Sequence, residues 1–128
     1  MDVTTENFER DVIERSHELP VVVDFWAAWC APCRALGPVI ESEVGKRSGE
    51  LELVKLDVDS EGEIAARYGI QSIPTVAVFH KGESVSGFVG AYPAGTIGKF
   101  FDELLAGLAT DAADASSQDD PVAYAESI

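Results

Sequence analysis

The run Val21-Val22-Val23-Asp24-Phe25 is β-branched for three residues and apolar on both faces except for one acid. A strand of that kind is covered from both sides, as the central strands of α/β sheets are. Helical patterns flank it. Upstream, Thr4 and Thr5 can cap a helix with Phe8, Val12 and Ile13 on one face, ending near His17. Downstream, residues 30–47 carry Leu36, Val39, Ile40 and Val44 at helical spacing. Pro38 lies inside that segment and removes the bond to the Arg34 carbonyl, so a kink is expected. Residues 51–58 read as a second strand, and 61–68 as a short helix closed by Gly69. Two further strands, 75–79 and 85–89, flank Lys81-Gly82-Glu83, which reads as a hairpin turn. Ile97, Phe100, Phe101, Leu104, Leu105 and Leu108 mark the apolar face of a last helix.

The order α-β-α-β-α-β-β-α makes the first strands parallel, because helices cross between them, and the hairpin adds an antiparallel pair. The fold class expected is α/β, a central mixed sheet with helices on both faces in three layers. A chain of 128 residues is close to one domain's worth, and one this size buries roughly two-thirds of its unfolded surface. The domain is expected to span residues 1–108. From Ala109 onward, Asp111, Asp114, Asp119, Asp120 and Glu126 occur without a base among alanines and serines. Residues 109–128 therefore read as an acidic, flexible tail. The functional alternative is a docking segment built on Val122, Tyr124 and Ile128.

Charge narrows the possible partners. The net charge is −14, from 23 acids against 9 bases. Such a surface repels phosphate backbones and anionic membranes, so neither nucleic acid nor membrane is expected as a partner. The body alone carries −9, since five of the acids lie in the tail. Only four of the nine bases are lysine. That balance resembles proteins of salt-loving organisms, and a halophilic adaptation is expected. The first twenty residues are charged throughout, with no apolar export core, and no apolar run approaches the ~18 residues of a spanning helix. A cytoplasmic location is the expectation.

Cys30 and Cys33 are the only cysteines. A structural disulfide framework uses more cysteines at wider spacing, because short loops constrain the unfolded chain least. Two so close together point to redox chemistry or to half of a metal site. They follow a buried strand and open a helix, where the first turn leaves amide N–H groups unpaired and presents a partial positive charge. A thiolate at Cys30 is stabilised there, its pKa drawn from the ~8.5 of a free cysteine toward neutrality. Cys33, one turn on and more shielded, can close a disulfide with it. The pair can attack, form a mixed disulfide and resolve it. Pro32 sits near the helix start, where its missing N–H costs little.

The stretch Asp24-Phe25-Trp26-Ala27-Ala28-Trp29-Cys30-Ala31-Pro32-Cys33-Arg34 resembles the active-site motif of the thioredoxin family. The resemblance continues through Pro38, Lys55-Leu56-Asp57-Val58-Asp59, Tyr68-Gly69-Ile70, Ile73-Pro74-Thr75, Gly82 and Gly90-Ala91, and covers residues 3–108. Ala31 stands where most members have glycine. The resemblance implies that Cys30 is the nucleophile and Cys33 the resolving cysteine of a redox-active disulfide. It implies that Asp24 is the buried acid that helps take the proton from the resolving thiol, with Lys55 as its neighbour. From the residues alone both are anomalies, an acid and a base inside apolar strands. Pairing lowers the cost of burying them; otherwise Lys55 snorkels outward from a strand edge. Trp26 reads as packing beside the motif. His17 and His80 read as surface or loop residues.

By the same resemblance Ile73-Pro74 is a cis-proline loop facing the disulfide, its backbone able to pair with an extended substrate peptide. Trp29, Pro32, Ile73, Pro74, Gly90 and Ala91 are then the surface that receives partners. The implied activity is reduction of protein disulfides, without a bound cofactor. The implied partners are a thioredoxin reductase and disulfide-containing target proteins, with the chain a monomer that carries electrons between them. Two alternatives stay open. One is an oxidase or isomerase of the same fold, which Pro32 before Cys33 argues against, since such relatives often carry histidine there. The other is a non-catalytic binding or scaffold protein. Zinc is the weakest reading, because two cysteines supply half of a tetrahedral set; no metal is expected.

Overall fold

A computed structural model describes residues 1–111; residues 112–128, and with them most of the expected tail, lie outside the described residues. Among the described residues four strands form one sheet: β1 Val21–Trp26, β2 Glu52–Asp57, β3 Thr75–His80 and β4 Glu83–Val89, in the order β2-β1-β3-β4. β1 runs parallel to β2 and antiparallel to β3, and β3 runs antiparallel to β4. The helices are α1 Ala31–Gly45, α2 Gly62–Arg67 and α3 Ala94–Asp111. α3 continues past the expected boundary at residue 108.

Alternation along the strands sends their side chains into two cores. Val21, Val23 and Phe25 of β1 join Val54, Leu56, Ala77 and Phe79 beneath Phe8, Val12 and Ile64 of the N-terminal segment and α2. Val22, Val76, Val78 and Phe88 meet Leu36, Ile40 and Val44 of α1 and Ile97 and Phe101 of α3 on the opposite face. The sheet is thus covered on both sides, the three-layer α/β arrangement expected from the apolar run at 21–25. Asp24 lies on the second face, beneath α1.

The N-terminal helix differs from its expected winding. Thr4 and Asn7 close a turn ahead of the segment, where Thr4 Oγ1 accepts from the Asn7 amide at 3.2 Å and Asn7 Oδ1 from the Thr4 amide at 2.8 Å, but the winding itself starts after Phe8 with no side-chain cap. Beyond it, Glu9–Glu14 is wound as a wide π-helix and Arg15–His17 as a tight 3₁₀ turn. Tertiary ties override the local 3.6-residue period here. Buried Ser16 donates to the Ile13 carbonyl at 2.6 Å, accepts from the Gly82 amide at 2.8 Å, and receives the Lys81 amide on its own carbonyl at 2.9 Å. Those bonds pin the segment to the β3–β4 turn. That turn is a two-residue connection with φ of 55° at Lys81 and 85° at Gly82, the positive pair that matches the twist of a hairpin. Before β1, Asp2 bridges Lys55 in parallel at the outer edge of β2, a pairing the sequence pattern did not reveal.

Candidate active site

β1 delivers the chain to the site. Ala27 follows it, buried, and its carbonyl accepts the Cys30 amide at 3.1 Å in a tight turn. Cys30 is then the N-cap of α1, in extended conformation, and its Sγ accepts from the Cys33 amide at 3.2 Å. This is the helix-start placement read from the sequence: an unpaired first-turn amide aimed at the first sulfur. Pro32 occupies the first turn, where no donor is lost. Cys30 and Cys33 form a disulfide with their Cα atoms 5.2 Å apart. Both are enclosed, 4% and 2% exposed, so the expected difference in shielding is small in this oxidised form. Ala27, Trp26, Val58 and Ile73 pack around the pair.

The Ile73–Pro74 bond is cis, as the resemblance implied. The Ile73 carbonyl lies 3.9 Å from Cys30 Sγ. Pro74 is buried, and its carbonyl accepts the Gly90 amide at 2.9 Å. Gly90 has φ of 109°, a conformation that favours glycine. Ile73, Pro74 and Gly90 are therefore joined to one another beside the disulfide, and Ala91 follows Gly90, exposed. Trp29 stands out from the surface, 68% exposed, with its indole N–H donating to Asp59 at 2.8 Å. Sequence reasoning missed Tyr92, which is 43% exposed with its ring edge-on to Phe88. An aromatic immediately after Gly90-Ala91 was the available signal.

Asp24 is 1% exposed, and among the described residues neither carboxylate oxygen has a hydrogen-bond partner. Burial pushes its pKa up to about 6; the Lys55 charge opposes the rise and Glu41 reinforces it. Lys55 is the parallel-strand partner of Asp24, but its ammonium does not close on the acid. It lies 3.6 Å from Glu41 Oε2 and 4.8 Å from the centre of the Trp26 ring. Its charge lies close enough to Asp24 to oppose the rise in that carboxyl's pKa, while its head group is partly exposed beside Glu41. Trp26 packs beside the cysteines as expected. His17 is exposed and His80 half-buried, at the end of β3.

Comparison with known proteins places these features together in one family. The family model described as thioredoxin matches residues 1–103. The chain is similar to thioredoxin C-2 of Corynebacterium nephridii, 43% identical over 105 residues that span 82% of this chain and 95% of that protein. It is 45% identical over 103 residues to probable thioredoxin-2 of Caenorhabditis elegans, across 80% of this chain and 70% of the relative. A thioredoxin of Streptomyces clavuligerus is 47% identical over 92 residues, 72% of this chain and 83% of that one.

Proposed function

The chain belongs to the thioredoxin family and is a thiol–disulfide oxidoreductase; from that premise we propose how its residues divide the work of reducing protein disulfides. The observation that carries the reading is the Cys30–Cys33 disulfide at the start of α1, with the Ile73 carbonyl beside the first sulfur. In the dithiol form Cys30 is the nucleophile. Its thiolate attacks one sulfur of a target disulfide, a Cys30–target bond forms, and the other target sulfur leaves as a thiolate that takes a proton from water. Cys33 then gives its proton toward Asp24 and attacks the Cys30 sulfur. The Cys30–Cys33 bond forms and the second target sulfur leaves, protonated. The target has gained two electrons from the cysteine pair and two protons, one from water and one from Cys33 by way of Asp24. A reductase that supplies two electrons restores the dithiol, so the chain is an electron carrier between that reductase and its targets.

Trp29, Pro32, Ile73, Pro74, Gly90 and Ala91 receive the partner, with an extended peptide pairing on the Ile73 backbone. Pro32 and Ala91 are exposed and Ile73 half-buried, which suits them to contact. Lys55 tunes Asp24. The chain acts as a monomer in the cytoplasm; among the described residues no helix is long and apolar enough to cross a membrane. The unit that does this work is residues 1–108, with the acidic tail as an appendage. Reduction of insulin, driven first by a chemical dithiol and then by candidate reductases, tests the activity. Cys30→Ser and Cys33→Ser should abolish turnover, and Cys33→Ser should accumulate mixed disulfides with targets. Retained function without both thiols would instead mark a scaffold.

The charge of −14 supports a second part of the proposal, adaptation to high salt. Screening shortens to ~3 Å at 1 M salt from ~10 Å at 0.1 M, which relieves repulsion among surface acids. Melting temperature should rise between ~0.1 M and ~2 M KCl in the full chain and in a chain ending at Leu108 alike. A flat response in both would remove the halophilic reading.

A further inference from the structure

Asp24, Lys55 and Glu41 form a line of charges running from the core to the surface. Asp24 and Lys55 are paired residues of adjacent parallel strands, so both side chains leave the sheet on the face that α1 covers. A cation beside a buried carboxylate is the arrangement that relieves it, and among the described residues the Asp24 oxygens find no hydrogen-bond partner. The ammonium is held elsewhere. Glu41 Oε2 is 3.6 Å from it, and the Trp26 ring centre 4.8 Å. A β-carbon added at Gly37 would come within 3.4 Å of it. Gly37 and Glu41 are four residues apart on α1 and share one face. Gly37 leaves the room, and Glu41 supplies the anion.

We propose that Glu41 is a positioning residue for this reaction: by holding the Lys55 ammonium against its own carboxylate and the Trp26 face, it sets how much of that cation the buried Asp24 carboxyl receives. The proposal rests on Asp24 being the group that takes the Cys33 proton. Other charged groups around Lys55 are Asp2, Asp57 and Glu61, which with Trp26 line a cleft of about 210 Å³ on its open side. Toward Asp24, β3 presents uncharged Val76 in register, β2 presents Lys55, and α1 presents Glu41. Glu41 is therefore the acid that both repels Asp24 and competes with it for Lys55. Neutralising Glu41 removes the repulsion and frees the cation, and both changes favour the ionised form of Asp24.

The test is an NMR titration of the Asp24 carboxyl in the full-length oxidised protein at low salt. Glu41→Gln should lower its midpoint by about half a pH unit, a roughly threefold change in proton affinity. Glu41→Asp should keep it closer to the parent. In a Lys55→Met background, where the parent midpoint is higher, Glu41→Gln should move it by less than about 0.2 unit, because only the direct repulsion from a half-exposed carboxylate is left. The pH dependence of mixed-disulfide release should shift with the midpoint. An unchanged midpoint in Glu41→Gln would overturn the proposal, and so would an equal shift in both backgrounds, which would leave Lys55 out of the coupling. A protein whose midpoint shifts as stated but which reduces no disulfide would uphold the placement and overturn the functional reading of Asp24.

Discussion

Asp24 and Glu43 are both carboxylates on the α1 side of the sheet, 1% and 5% exposed, and the fold treats them in opposite ways. Among the described residues the Asp24 carboxylate has no hydrogen-bond partner, and burial raises its pKa to about 6. Glu43 accepts from Lys46 Nζ at 3.0 Å and from Arg47 Nη1 at 3.1 Å, and those bonds hold its carboxyl below the usual range. Arg47 in turn donates to the Glu43 carbonyl, to the Gly98 carbonyl and to Asp102, and lies 5.9 Å over the Phe101 ring. The Glu43–Arg47 cluster fastens α1 to α3. A buried acid that is satisfied adds to the packing of the elements around it; one that is left unsatisfied strains the folded state and keeps its affinity for a proton. The second condition is the one that the proposed role of Asp24 as proton acceptor requires.

The widest separation between the two acids is expected on replacing Asp24. A carboxyl whose pKa rises from 3.8 to about 6 on folding binds more protons folded than unfolded across that interval. Stability must then fall as pH rises from about 4 to about 6, by about 3 kcal/mol in all, and stay low above it. Asp24→Asn should recover about that amount at pH 8 and flatten the profile, while slowing disulfide reduction by up to about 100-fold at pH 7. Urea unfolding across pH 4–8 and insulin turnover measure the two arms. A variant that is no more stable and equally fast would make Asp24 an ordinary core residue.

The same changes at the other acid should go the opposite way. Arg47→Lys keeps the charge but loses the planar fork shared by Glu43, Gly98 and Asp102, and should cost about 1–2 kcal/mol. Glu43→Gln should lower the melting temperature by less, since the amide still accepts from Arg47. The sign with pH is reversed too. A carboxyl held low in the folded state contributes stability above its ordinary range and loses it as pH falls. The gap between parent and Glu43→Gln should therefore close toward acid, where the gap for Asp24→Asn also closes but from the other side. If Glu43→Gln stabilised the protein at pH 8, the contrast between the two sites would be gone.

One of these acids was legible in the sequence and the other was not, for a physical reason. Asp24 interrupts a β-branched run, and a lone acid in a strand covered on both faces has nowhere to go but inward. The cysteine pair was equally plain, because a buried strand followed by a helix start fixes where both sulfurs lie. Glu43 and Arg47 look like an ordinary exposed i, i+4 pair on a charged helix. The signal lay in phase: Glu43 is seven residues from Leu36 and three from Ile40, on the stripe that faces α3. Lys55 shows the limit from the other direction. Strand pairing put its backbone beside Asp24, but the path of a four-carbon side chain was decided by Gly37, Glu41 and Trp26, residues from two other elements. The π-wound N-terminal segment was hidden likewise, since Ser16 is held by a hairpin turn more than sixty residues on.

The smallest expected effect probes how firmly Glu43 is held. Gly98 lies in α3 directly over that carboxylate: a β-carbon added there would sit 2.8 Å from Glu43 Oε1 and 3.4 Å from Arg47 Nη2. Two effects oppose each other in Gly98→Ala. Alanine favours the helix over glycine by about 0.8–1 kcal/mol. Against that, the carboxylate must turn aside and lengthen its bond to Arg47. In the parent the two should nearly cancel, leaving a change within about 0.5 kcal/mol in the unfavourable direction. In a Glu43→Ala background only Arg47 Nη2, at ordinary contact distance, remains beside the new carbon, and the same substitution should stabilise by most of the helix-propensity gain. Urea midpoints for the four proteins of this cycle give the coupling directly. A gain of equal size in both backgrounds would mean that Glu43 yields freely, and that its hydrogen bonds to Arg47 and Lys46 do not hold it as a fixed strut between α1 and α3.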